Sequence, residues 1–256
     1  MGIFEANKRL QGFPATNPVS TLLIAAVTIM FVITILFGGF TERNLLELGA
    51  LYEPIVIEEG QWYRLISVMF LHGSVSHYIF NTLFGLYIIG GALERLIGPV
   101  KYLIVYFASG LLASFTIVAS YFISGDPVLT VGASGAIYGV LGAFLYLVVN
   151  HKEWFDPMDI QGIKGLIFIN VVFTFIVPNI SVAGHIGGLI AGYAIATLMY
   201  YNQGKDLRRR RKDFHDPFAD PFEQKHRTLE EFDAFEYDDE DDDDENDPFA
   251  KYDRDD

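Results

Sequence analysis

The chain of 256 residues is 51% hydrophobic and carries a formal net charge of −14 at pH 7. It contains no cysteine, which excludes disulfides, thiol nucleophiles and cysteine-ligated metals and leaves the redox compartment undetermined. The apolar residues stand in long blocks, which indicates a membrane protein. Most of the acidity lies after residue 204, so the negative net charge says little about the partners of the core, and we expect no nucleic-acid partner.

The N-terminal part predicts a surface segment followed by a membrane anchor. In residues 1–19, large apolar side chains stand beside Lys8 and Arg9, a pattern typical of a short cytoplasmic or interfacial amphipathic segment. Residues 20–40 then supply the ~20 apolar residues that span a bilayer. This block is too long for a signal-peptide core and no small-residue cleavage site follows it, so we expect a retained anchor.

The apolar blocks predict five further spans. Residues 41–71 are too polar to cross a bilayer but rich in interfacial aromatic side chains. The later apolar blocks cover residues 78–93, 102–123, 134–149, 163–177 and 182–201. Residues 20–201 therefore predict an all-α polytopic membrane domain, a bundle of six transmembrane helices.

Positive charge predicts the orientation, and composition predicts the state of the tail. Lysines and arginines concentrate in alternate connections, which places both termini in the cytoplasm, and we expect a bacterial plasma membrane. Residues 202–256 are first basic, then acidic and poor in aliphatic side chains, which predicts a disordered cytoplasmic tail. Asp-Pro-Phe recurs there from residues 216, 220 and 247, so a docking motif for a cytoplasmic partner is the alternative.

Four polar side chains in the predicted spans share one depth. Counted at ~1.5 Å per residue from the inner helix ends, Ser134, His77 and Asn81 lie in the outer half of a ~30 Å hydrocarbon core. His185 begins the sixth span at a similar depth. Because buried polar groups in membranes are costly, their coincidence from three helices favours one functional site.

Helical spacing predicts a nucleophile and its base. His185, Gly188 and Gly192 lie at i, i+3 and i+7, and glycines on one face let membrane helices approach closely. If the neighbour is the helix of Ser134, His185 comes within hydrogen-bond reach and activates the serine. Free N–H groups in the first turn of that helix would stabilise an oxyanion, so the pattern predicts acyl transfer and hydrolysis.

The motifs resemble those of a known family. His72, His77 and Asn81, then Gly-Ala-Ser-Gly at 132–135, then Gly-His-Ile-Gly-Gly at 184–188, closely resemble the rhomboid intramembrane serine proteases. The resemblance covers residues 20–201 and implies a Ser134–His185 dyad that cleaves transmembrane protein substrates in the lipid bilayer, with no metal or organic cofactor.

The resemblance also implies supporting roles. It assigns His77, Asn81 and Gly132 to the oxyanion site and its loop, and Tyr138 to packing against the catalytic histidine. It assigns structural roles to His72 through hydrogen bonding, to Arg64 in the first outer connection, and to Glu94 at the end of the second span. Gly188 and Gly192 are expected to be structural through helix packing.

Other functions stay open at this point. A catalytically inactive rhomboid-like protein that binds membrane-protein clients would share the fold, and a transporter would use His77 and His185 as proton carriers. A zinc protease would need His-Glu-x-x-His and an aspartyl protease two intramembrane aspartates, and the sequence has neither. Asn170 is expected to make a helix contact, and His151 to be solvated.

Overall fold

The computed structural model describes residues 13–178 and 180–201. The predicted tail, its Asp-Pro-Phe repeats and the first twelve residues lie outside the described residues. The helices are α1 Phe13–Thr16, α2 Pro18–Phe37, α3 Glu42–Glu47, α4 Glu53–Glu58, α5 Arg64–Ser67, α6 Val75–Ile79, α7 Gly91–Ile97, α8 Pro99–Ser124, α9 Ser134–Asn150, α10 Pro157–Ile176 and α11 Val182–Tyr200. Apart from one isolated β-bridge, regular structure in the described residues is helical, which confirms the predicted all-α fold class.

The long helices match the predicted apolar blocks. Among the described residues, α2, α8, α10 and α11 are long and apolar enough to cross a membrane. The second predicted span is a continuous helical stretch in which a π-helical segment, Phe80–Gly90, joins α6 to α7. The fourth predicted span is α9, an apolar helix of 17 residues.

Helix α9 lies in the centre of the bundle. It packs against α8, α10, α11 and the π-helical segment, and most of its side chains are buried. A helix that is apolar on all sides is covered either by other helices or by lipid, and α9 is covered largely by other helices. At 1.5 Å per residue α9 is about 25 Å long, shorter than a ~30 Å hydrocarbon core.

The connection between α2 and α6 folds into short helices around a buried arginine. Arg64 donates hydrogen bonds to the carbonyls of Leu46 and Ala50 at 2.8 and 2.7 Å, and to Gln61 Oε1 at 2.8 Å. Guanidinium donors are costly to bury without acceptors. The two carbonyls that accept them come from α3 and the segment just after it, so these hydrogen bonds stabilise the folded conformation of the connection. Sequence analysis predicted the connection but not its helices α3, α4 and α5.

A buried carboxylate joins the first two spans. The two carboxylate oxygens of Glu94 accept hydrogen bonds from the backbone N–H groups of Val19 and Ser20, each at 2.8 Å. These N–H groups belong to the first turn of α2, where no carbonyl of the helix itself can accept them. Glu94 therefore caps one helix from another and also interacts favourably with the helix dipole.

The expectation from sequence that His151 is solvated is wrong. His151 follows α9 in a polar segment, yet its side chain is buried rather than solvated. Its ring lies 4.8 Å from the Trp154 ring and 5.6 Å from the Tyr146 ring. The neighbouring charges suggested exposure, but aromatic side chains from the helix end and the following turn cover the ring.

Candidate active site

Backbone contacts hold the segment before α9 in place. Leu51 and Thr130 exchange two backbone hydrogen bonds at 2.8 and 3.0 Å, and Glu53 accepts the N–H of Val128 at 2.8 Å. The N–H of Gly132 donates to the Val68 carbonyl at 2.9 Å. The connection between α2 and α6 thus fixes the path of the chain just before Ser134.

Ser134 is the first residue of α9. The N-cap is Ala133, whose side chain cannot accept a hydrogen bond. Ile137 donates to the Ala133 carbonyl at 3.0 Å, so the N–H groups of residues 134–136 precede the hydrogen-bonded ladder of the helix. Ser134 therefore lies in the helix turn whose free, polarised N–H groups can stabilise negative charge on oxygen.

His185 lies in the first turn of α11, and this helix contacts α9 through glycines. Ser181 caps α11 by accepting the N–H of Gly184 at 3.1 Å. A Cβ on Gly188 would overlap the Gly135 carbonyl oxygen, and a Cβ on Gly192 would overlap the Gly139 carbonyl oxygen. The predicted close approach of these two helices is present, and it brings both N-termini together.

Ser134 and His185 line the same cavity. Gly132, Gly135 and Ser181 also line it. No hydrogen bond joins the Ser134 hydroxyl to the His185 ring among the described residues, so their predicted hydrogen bond stays a prediction. The two side chains therefore border one shared space at the N-termini of α9 and α11.

The His185 ring is held on two sides. The Tyr138 ring stacks on it with a centroid distance of 3.9 Å and an interplanar angle of 20°. Thr174 of α10 lies with its Oγ1 3.0 Å from His185 Nδ1. Because Nδ1 is engaged by Thr174, Nε2 is the ring nitrogen left for a partner in the cavity.

Thr174 was missed in the sequence because threonine in an apolar helix usually bonds its own backbone. The available signal was its position four residues after Asn170, which places the two polar residues on the same face of one helix. The predicted helix contact of Asn170 is made by its backbone carbonyl, which accepts the Tyr138 hydroxyl at 2.6 Å, whereas its side-chain amide donates to Leu166 O of the same helix.

Gly132 separates Ser134 from His77. Its φ of +132° lies in the region that disfavours side chains, and a Cβ there would lie 2.8 Å from His77 Nε2 and 3.6 Å from Ser134 Oγ. His77 therefore borders the serine across a single glycine. Asn81 lies one turn further along, and its amide donates to the His77 carbonyl at 2.9 Å, within its own helix.

His72 packs beneath His77. Its ring is fully buried and contacts the His77 ring edge-on at 5.1 Å and the Tyr78 ring at 5.8 Å. Burial, with a smaller contribution from His77, lowers the pKa of His72 to about 3. Neither ring nitrogen meets hydrogen-bond geometry with a partner among the described residues, but a backbone contact at Phe70 acts to raise the pKa. The structural hydrogen bonding predicted for His72 therefore stays a prediction.

Comparison with known proteins identifies the family. The model of the Rhomboid domain matches residues 59–202, which include every element that lines the cavity. The chain belongs to the rhomboid family. It is an integral, multi-pass membrane protein with the helical bundle of that family.

Rhomboid relatives occur in bacteria, a parasite and plants. The chain is 38% identical over 178 residues to Rhomboid protease GluP of Bacillus subtilis, a match that covers 70% of this chain but 34% of GluP. It is 32% identical over 202 residues to Putative rhomboid protease YdcA of the same organism, covering 77% of this chain and 96% of YdcA. Rhomboid-like protease 1 of Toxoplasma gondii is 32% identical over 165 residues, covering 62% and 53%.

Proposed function

We propose that this rhomboid protein is an intramembrane serine endopeptidase with Ser134 as nucleophile and His185 as general base. One observation carries the proposal: both side chains line a single cavity at the adjoining N-termini of α9 and α11. The engaged Nδ1 of His185 adds support, since it leaves Nε2 for the serine. A serine beside an oriented histidine is the arrangement that hydrolases on unrelated folds share.

The reaction proceeds in two halves. His185 Nε2 removes the Ser134 proton as Oγ attacks the peptide carbonyl, and the N–H groups of residues 134–136 stabilise the oxyanion. Collapse of this intermediate breaks the peptide C–N bond, and His185 returns the proton to the leaving amine. Water then attacks the acyl-enzyme with His185 as base, which releases the new carboxylate and restores Ser134. His77 contributes a side-chain donor beside the oxyanion, and Asn81 supports His77.

The substrates are transmembrane segments of other membrane proteins. An intact helix hides its carbonyls in internal hydrogen bonds, so a cleavable segment must first unwind locally. A segment with small side chains suits the narrow space beside Gly132 and Gly135. The cavity faces the outer half of the bacterial plasma membrane, with both termini of the chain in the cytoplasm.

Cleavage of a generic transmembrane substrate by the full chain in proteoliposomes tests the proposal. Ser134→Ala and His185→Ala are each expected to lower the rate by about 10⁴-fold or more, because the two groups act as a unit. Ser120→Ala is the matched control, since Ser120 does not line the cavity and its Oγ donates to the Ile117 carbonyl within α8.

Cleavage by Ser134→Ala at the wild-type rate would refute the assignment of the nucleophile. A wild-type protein that binds the segment without cutting it would instead support the client-binding alternative, in which the same cavity serves recognition alone.

A further inference from the structure

We propose that Thr174 is a positioning residue that holds His185 in the tautomer with a proton on Nδ1 and a lone pair on Nε2. The proposal rests on the proposed function in one respect, namely that the Nε2 lone pair serves Ser134. The tautomer itself is a property of the polar cluster formed by Tyr138, Asn170, Thr174 and His185.

Four short contacts connect this cluster. Thr174 Oγ1 lies 3.0 Å from His185 Nδ1, 2.6 Å from the Tyr138 hydroxyl and 3.0 Å from the Asn170 carbonyl oxygen. The Tyr138 hydroxyl also lies 2.6 Å from the Asn170 carbonyl oxygen. Thr174 is 1% exposed and His185 7% exposed, so water competes little for these contacts.

Counting protons decides the tautomer. The Asn170 carbonyl is only an acceptor, and each hydroxyl supplies one proton. If Nδ1 carries a proton, His185 donates to Thr174, Thr174 donates to Tyr138 and Tyr138 donates to Asn170, which satisfies three of the four contacts. If Nδ1 lacks a proton, Thr174 must donate to it, and only Tyr138 has a proton left for one other contact.

The tautomer with a proton on Nδ1 makes one more buried hydrogen bond than the tautomer without it. A net hydrogen bond is typically worth about 1 kcal/mol, and a buried group left without its partner costs more. The three donations also run in one direction from His185 to a backbone carbonyl, so that each polarises the next. The cluster therefore favours the protonated Nδ1 and leaves Nε2 as the basic nitrogen.

This arrangement gives Thr174 the task that a buried carboxylate performs in a Ser-His-Asp triad, without the charge. Such a group fixes the orientation and the tautomer of the imidazole. A neutral hydroxyl does so at a lower desolvation cost inside a membrane protein. The residue comes from α10, so the site draws its serine, its histidine and this third group from three helices.

Two substitutions at position 174 test the proposal on the full chain in a bilayer. Thr174→Val keeps the shape and removes the hydroxyl, and we expect kcat to fall about 10- to 100-fold with KM little changed, as when outer partners of metal-binding histidines are removed. Thr174→Ser restores the hydroxyl and is expected to recover most of kcat. Tyr138→Phe keeps the stacked ring and should cost less than Thr174→Val, because Thr174 then donates to Asn170.

Thr34→Val is the matched control. Thr34 is a fully buried threonine on α2 whose Oγ1 donates at 2.8 Å to Met30 O of its own helix. A valine there removes a buried hydroxyl of the same kind, and kcat should stay at the wild-type value. Equal rates for Thr174→Val and wild type would overturn the proposal, as would failure of Thr174→Ser to recover more rate than Thr174→Val.

Nitrogen-15 NMR of histidine-labelled protein reads the tautomer without relying on cleavage, with His185→Ala used to assign the signals. We expect a protonated Nδ1 and a bare Nε2 in wild type, and a mixture of tautomers in Thr174→Val. A protonated Nε2 in wild type, or an unchanged spectrum in Thr174→Val, would refute the proposal. If the tautomer is as expected but wild type does not cleave, the proposed function fails and the role of Thr174 in orientation stands.

Discussion

Gly132 lies between Ser134 and the His77 ring. Its positive φ and its contact with His77 leave no room for a side chain. The consequence is chemical as well as steric, because this glycine lets the His77 ring approach the serine hydroxyl. A larger residue would separate the proposed oxyanion donor from the proposed nucleophile.

Gly132→Ala is therefore expected to lower kcat by at least about tenfold, the cost of misplacing one transition-state donor. Gly39→Ala is its control. Gly39 also has a positive φ, of +67°, but a Cβ there meets nothing within 4 Å, so alanine there adds a milder backbone strain without touching the site. Equal rates for the two variants would contradict the account of Gly132.

Part of the candidate site was predictable from single residues. Ser134, His77 and His185 stand out because polar side chains in apolar spans are costly. The structure places Ser134 and His185 on one cavity and places His77 beside Ser134 across Gly132. Thr174 does not stand out, because a threonine satisfied by its own helix has the same sequence pattern. The burial of His151 was also not predictable from sequence, since it depends on aromatic partners that tertiary packing brings to the ring.

The pair α9 and α11 is the structural basis of the site. Backbone contact between the helices places their first turns side by side, and those turns carry Ser134 and His185. Glycine allows this contact because a Cβ at Gly188 would overlap a carbonyl of α9. Separation of the two helices by one methyl group would alter the distance between the proposed nucleophile and its base.

Gly188→Ala is expected to lower stability by about 1–3 kcal/mol, the usual cost of overpacking, and to reduce cleavage. Gly165→Ala is the matched control, because a Cβ on this glycine of α10 meets nothing within 4 Å. Thermal unfolding of both variants in the same detergent measures the difference. A Gly188→Ala protein as stable as Gly165→Ala would show that the helices do not need backbone contact.

The long helices were predictable because apolar length alone determines them. The predicted starts at residues 134 and 182 coincide with α9 and α11. The short helices between α2 and α6 were not predictable, since fewer than two turns are unstable alone and depend on burial. Their stability comes from tertiary partners such as Arg64, which bonds carbonyls 14 and 18 residues away.

The proposed hydrolysis needs a defined orientation of the bundle, because water and the peptide must both reach the cavity. The absence of cysteine from the whole chain makes its orientation measurable with single cysteines, because no background thiol reacts. Glu59 follows α4 and Lys152 follows α9, and both are exposed. The proposed topology places them on opposite sides of the membrane.

Glu59→Cys is expected to react with a membrane-impermeant maleimide in intact cells, and Lys152→Cys only after permeabilisation. In the proposed topology the connection after α2, which holds Glu59, lies outside. The next two spans cross the membrane twice and end outside again, and α9 then crosses to the cytoplasmic side, where Lys152 follows it. The reverse labelling pattern would invert the topology, and equal labelling of both would contradict a bundle that separates the two faces.

The measurement that bears most directly on the central claim is labelling of the full chain in a bilayer with a fluorophosphonate, followed by peptide mapping. Ser134, Ser114 and Ser181 all line the cavity, and a hydroxyl reacts only if a base activates it. We expect the label on Ser134 alone, with none in Ser134→Ala and a large reduction in His185→Ala. Label on Ser114 or Ser181, or labelling of Ser134 that is unchanged in His185→Ala, would contradict the Ser134–His185 dyad.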